Sequence, residues 1–118
     1  MSSKKYVIDH IFESIDIIES QVSDVSQGDF NNNIMLQDCI MRRIQLIGEG
    51  VRKLTLDYPE LREIEVIPWQ DIIGMRNILV HNYLGIDLDM VWEVAHDDLK
   101  DLRDKINENL DIILGDIE

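Results

Sequence analysis

Apolar residues recur at steps of three and four along nearly the whole of this chain, a spacing that favours helices over anything else. Ile8, Ile11, Ile15, Ile18 and Val22 form one series, with Phe12 beside them. Ile40, Ile44, Ile47, Val51 and Leu54 form a second, and Val91, Ala95, Leu99, Leu102, Ile106, Leu110 and Ile113 another near the end. Residues three and four apart share a helix face, so each series is a stripe that needs a partner surface. No segment alternates persistently with period two, as a half-buried strand would. The fold expected is all-α: an antiparallel up-down bundle of four main helices with room for a short fifth.

Breaks between the stripes are readable too. The first helix gives way to "SDVSQGDFNNN", a Ser/Asp/Gly/Asn cluster that reads as a loop supplying caps for the next helix. The second stops near "DYPE", because Pro59 disfavours helical backbone at Tyr58. Residues 57–67 fit a short helix, a strand-like connector or an irregular loop. The third helix starts with Pro68 in its first turn and runs towards Gly85 as its stop. Asp87 or Asp89 caps the fourth. No composition shift, repeat or linker divides the chain, and its 118 residues suit one modest core, so residues 1–118 are expected to form a single domain.

Composition narrows the class. With 45% apolar and 30% charged residues, the chain reads as globular. The single Cys39 excludes an intramolecular disulfide and, beside Ile40 and Met41, reads as a structural thiol in a reducing compartment. No run approaches the roughly 18 apolar residues of a membrane span. "MSSKKYVIDHIFE" lacks the apolar centre of a signal peptide, so the expectation is a cytoplasmic protein with no membrane role. Net charge is −13, which taken alone argues against nucleic acid. The distribution is uneven. Residues 40–55 carry Arg42, Arg43, Arg52 and Lys53 against Glu49, a local +3, and residues 86–118 carry eleven acids against three bases, a local −8. The acidic end is most simply a solvated helix face; the four cations fit either the same reading with opposite sign or half of a phosphate-binding patch, and charge alone does not decide between them.

The third helix interrupts its own stripe. Trp69, Ile72, Ile73, Val80 and Tyr83 recur at helical spacing, and Arg76 falls among them, with His81 five residues on. A lone arginine there would snorkel or pair with Asp71 or Glu49. Five residues is about 140° around an ideal helix, so Arg76 and His81 cannot aim at one point from a single straight helix. Either the helix loosens near "HNYLG" or a second copy of the chain completes the site. An arginine fork neutralises a phosphate and a histidine moves a proton, and RNA offers a phosphate beside a 2′-hydroxyl. Arg76, Asn77, His81 and Tyr83 are the one concentrated polar group. Glu93 and His96 form a single E-x-x-H unit where a di-iron bundle needs two, and around His10 the order is reversed. No metal or other cofactor is therefore expected, and His96 reads as a surface histidine beside Asp97 and Asp98.

"RNILVHNY" also fits the R-x4-H-x-Y motif of the HepT-like branch of HEPN proteins, with Arg76, His81 and Tyr83 as its fixed letters. "IGEG" at 47–50, "YPEL" at 58–61, "IPW" at 67–69 and "GIDLDMVW" at 85–92 are similar to that family's other signature stretches, so the resemblance spans nearly the whole chain. The chain resembles HepT toxins, which pair with a MntA-type minimal nucleotidyltransferase antitoxin in a type VII-like toxin–antitoxin system. The resemblance implies a HEPN fold, a homodimer, and a metal-independent endoribonuclease site in a cleft between protomers. It implies Arg76 and His81 as catalytic, Asn77 as a polar helper, and Tyr83 as the position that the antitoxin modifies with AMP. The alternative is a non-catalytic HEPN module that binds a nucleotidyltransferase or a nucleotide; the intact Arg76 and His81 favour the nuclease.

Overall fold

In the computed structural model, which describes residues 3–115 and only the backbone of Tyr83, the apolar stripes become three long rods and a shorter one. Helix α1 spans Lys4–Val22, α2 Gln27–Asn31, α3 Ile34–Asp57 and α4 Trp69–His81. The last rod, residues 88–108, is α5 (Leu88–Glu93), a π-helical turn (Val94–Asp98) and α6 (Leu99–Glu108), followed by α7 (Leu110–Leu114). Two 3-10 turns, Pro59–Glu63 and Tyr83–Gly85, flank α4. No strand occurs among the described residues. The all-α bundle is as expected.

Local chemistry sets the boundaries. Ser3 caps α1, its Oγ accepting from the Tyr6 N–H, and Asn33 caps α3 through the Leu36 N–H. Asp87, not Asp89, caps α5. The stretch "SDVSQGDFNNN" is more than a loop: Ser26 and Asp29 form a reciprocal capping box that starts α2. One turn of helix there lets Phe30 reach the core and pack against Trp92, at 5.5 Å between ring centroids. The ambiguous connector is a 3-10 turn after Pro59. The indole Nε1 of buried Trp69 donates to the Leu61 carbonyl at 2.9 Å, fixing the start of α4 on that turn.

Helix α3 lies at the centre, with α1 along one side and α4 along another, and the 88–108 rod runs against α1. Ile8, Ile11, Ile15 and Ile18 of α1 meet Ile40, Ile44, Ile47, Val51 and Leu54 of α3 in the core, and Val91, Ala95, Leu99, Leu102 and Ile106 close it. The two successive steps of four from Val91 to Leu99 would drift about 80° around an ideal helix. The π turn between them widens the coil and keeps all three residues buried.

Helix α4 departs from expectation twice. It ends at His81 and not near Gly85: Asn82 is the cap, and Gly85 closes a 3-10 turn by donating to the Asn82 carbonyl at 3.0 Å. Its buried face is also turned. Trp69, Met75 and Leu79 are buried, whereas Val80 is 36% exposed. The helix is apolar on two sides, so periodicity alone did not choose which side α3 would cover.

Candidate active site

The site starts from a glycine. Gly48 of α3 lies beneath α4, where an added Cβ would stand 2.2 Å from the Arg76 Cβ and 3.2 Å from the Ile72 carbonyl oxygen. Only a residue without a side chain lets the helices approach this closely, and the Arg76 stem lies across the gap. That contact explains an arginine inside the stripe: its methylenes pack on α3 while its head runs outward along the seam.

The head is only partly engaged. Arg76 Nη1 donates to Asn77 Oδ1 at 3.0 Å. Its Nε is buried and has no hydrogen-bond partner; the Glu49 Oε2 lies 3.9 Å away, in ion-pair range but too far for a hydrogen bond. The same Oε2 accepts from Gln45 Nε2 at 3.1 Å. Of the two carboxylates the sequence offered, Glu49 is the one at the arginine. A guanidinium has five donors, so this one retains capacity for a further anion.

His81 is exposed in the last turn of α4. Because α4 stays regular from Trp69 to His81, Arg76 and His81 keep their separation of about 140° around the axis. Loosening begins only at Asn82, too late to swing His81 beside Arg76. The outer face carrying His81 and Asn77 also holds Gly74, with nothing within 4 Å of where its Cβ would be. Exposed Ile78 and Val80 flank it, and Leu84 beyond is 98% exposed. The Tyr83 side chain lies outside the described part of the structure; its backbone opens the 3-10 turn two residues after His81.

The basic stretch is divided by the helix it lies on. Arg42 and Lys53, eleven residues apart, share a side of α3 to within about 20°, whereas Arg43 and Arg52, nine apart, point about 180° from each other. Arg42, Arg52 and Lys53 are exposed, and Lys53 pairs with Asp57 at 3.3 Å. His96 is occupied elsewhere: it bonds Asp97 at 3.0 Å and stacks on Trp92. Among the described residues, no three His, Cys, Asp or Glu side chains are grouped to hold a metal ion, and no helix is long and apolar enough to cross a membrane. Sequence reasoning missed the part played by Gly48 and Gln45. A glycine in mid-helix, costly by about 1 kcal/mol against alanine, was the available signal of close approach.

Comparison with known proteins agrees with the family resemblance. Residues 11–108 match the family described as "Ribonuclease HepT-like". A Methanocaldococcus jannaschii protein named for gamma-glutamylcyclotransferase and candidate RNase functions is 39% identical over 110 residues, 91% of this chain but 49% of that one. The chain thus spans about half the length of that relative. A candidate RNase from the same organism is 30% identical over 87% of this chain and 92% of its own. The probable ribonuclease HepT of Thermococcus cleftensis is 28% identical over 90% of this chain and 94% of its own. No solved structure matches the chain.

Proposed function

This chain belongs to the HepT-like ribonuclease family, and we propose that it is a metal-independent endoribonuclease toxin acting as a homodimer of single-domain protomers. In this reading Arg76 holds the scissile phosphate and follows its charge into the transition state. His81 takes the proton from the neighbouring 2′-hydroxyl as its oxygen bonds to phosphorus. The bond from phosphorus to the 5′-oxygen breaks, that oxygen takes up the proton that the His81 imidazolium returns, and a 2′,3′-cyclic phosphate remains. Asn77 supports the fork by accepting from Arg76 Nη1.

The observation that carries this reading is the geometry of α4. Arg76 and His81 sit on one regular helix but face apart, and the outer face that carries His81 is open at Gly74, with exposed Ile78 and Val80 at its edges. A second copy laid on that face would cover Ile78 and Val80 and gather both pairs along one cleft. The buried, unpartnered Nε of Arg76 supports a binding role, since structural arginines are ordinarily satisfied. Tyr83, next to the cleft in the chain, is the proposed target of a MntA-type nucleotidyltransferase. An AMP group there would set a phosphate against the arginine and an adenosine across the path of RNA.

Single-stranded RNA incubated with the protein in EDTA should yield cyclic-phosphate ends. His81→Ala should lose about 10²–10⁴-fold of the rate. Sedimentation should report twice the chain mass of 13.8 kDa. With ATP, Mg²⁺ and the nucleotidyltransferase, mass spectrometry should find AMP on Tyr83 with cleavage lost, and Tyr83→Phe should resist silencing. Full cleavage by His81→Ala, or a strict monomer that still cuts, would overturn the shared-cleft mechanism.

A further inference from the structure

A groove of about 200 Å³ runs between α1 and the outer side of α3. Tyr6 and His10 line one wall, and Leu46, Glu49 and Lys53 line the other. Neither ring belongs to the core, and Tyr6 is 57% exposed. Yet the two are held: His10 Nε2 lies 3.2 Å from the Tyr6 hydroxyl, and the rings meet edge to face with centroids 4.9 Å apart. An exposed aromatic pair fixed in place is ready to stack on a planar ligand without a further ordering cost.

The groove continues into the arginine seam. Glu49, which lines it, is the carboxylate 3.9 Å from Arg76 Nε. The charges in its lining are mixed, Glu49 against Lys53, and Lys53 is itself paired with Asp57. Such a strip is poorly suited to a run of phosphates and well suited to one base. A carboxylate oxygen accepts from the amino group on a base edge, and aromatic rings take its face.

We propose that this groove is a subsite for one unpaired RNA base beside the phosphate held at Arg76. The base stacks on the Tyr6–His10 pair, its amino-bearing edge turns to Glu49, and Lys53 serves the adjoining phosphate. The proposal rests on the ribonuclease reading. It also supplies affinity that a chain of net charge −13 does not gain from counterion release, so binding should depend weakly on salt.

The test uses full-length protein carrying His81→Ala, so that RNA is bound and not cut, with single-stranded oligonucleotides bearing 2-aminopurine at one position at a time. Stacking quenches its fluorescence at one register. Tyr6→Ala in the same background should restore the signal, and Tyr6→Phe should keep it quenched. Circular dichroism confirms that the exposed substitution leaves the fold intact. In the cleaving protein, Tyr6→Ala should raise KM by about five- to a hundredfold, the scale of one lost base stack. Cleavage by the wild type with quenching and KM both indifferent to Tyr6→Ala overturns the subsite and leaves the nuclease standing. Tyr6-dependent quenching in a protein that cuts no RNA keeps the subsite and removes the nuclease. Quenching by the free 2-aminopurine mononucleotide but by no oligonucleotide assigns the groove to a small nucleotide and overturns the RNA proposal.

Discussion

Arg103 and Arg76 stand at two helix seams with nearly equal exposure, 25% and 21% of their side chains, and are used in opposite ways. Arg103 ties α6 to α1. Its Nη1 donates to Asp16 Oδ1 at 2.8 Å and to Glu19 Oε1 at 2.6 Å, and its Nη2 to Glu19 Oε2 at 2.9 Å. Those bonds hold the Glu19 carboxyl below its ordinary range and push Arg103 further up. Arg76, between α4 and α3, has among the described residues one side-chain acceptor, a distant carboxylate and a buried Nε with no partner. A cation whose donors are matched across a seam fastens it. One left with donors in hand costs the fold something, which accords with the binding role proposed for Arg76.

The two arginines should differ most when Arg76 is replaced. Arg76→Met keeps the stem on Gly48 and removes the head, so cleavage should fall by about 10²–10³-fold, the scale of one lost transition-state donor. Thermal stability should hold or rise, because the unpartnered Nε goes with the head. A large drop in melting temperature with cleavage intact would make Arg76 the structural arginine of the pair.

The close approach beneath it is next in size. Gly48→Ala sets a Cβ where the Arg76 Cβ already stands. Separating α3 from α4 to make room should cost about 1–3 kcal/mol, read by urea unfolding. Gly74→Ala, facing open space in the monomer, should not lower stability in this way, so equal losses at the two glycines would contradict the packing described.

Arg103→Met should leave cleavage alone and cost about 1 kcal/mol, the upper end for a partly exposed pair. Its pH dependence has a definite sign. Glu19's folded pKa lies below its ordinary value of 4.5, so ionised Glu19 stabilises the fold above that range, and the contribution fades as pH falls through the lowered folded value. The gap between wild type and Arg103→Met should therefore be flat above pH 4.5 and close below it. Asp98 acts in the other sense: burial first, then Asp97 and Asp101, raise its carboxyl, so its ionisation weighs against the fold as pH rises. A gap that widens on acidification would exclude the Glu19 bond as the source.

Much of this was written locally. The stripes of α1, α3 and the 88–108 rod were legible because residues three and four apart share a face in any helix, whatever it packs on. The caps at Ser3, Asn33 and Asp87 are decided within one turn, and the spacing of Arg76, His81 and Tyr83 is a property of the chain itself. The short α2 was hidden because five residues give no periodicity to read, and its capping box lay inside a stretch rich in turn formers.

The rest required neighbours. Helix α4 is apolar on two sides, so the choice of Met75 and Leu79 over Val80 as the buried set was made by α3 and not by α4's own pattern. The passage of Arg76 over Gly48, and the selection of Glu49 over Asp71, join residues far apart in sequence that meet only when the two helices cross. Local spacing was enough to set the helices and to place an arginine and a histidine at a fixed separation. The tertiary structure decided that the arginine keeps unused donors and that the histidine faces away, because burial and pairing depend on which surfaces meet.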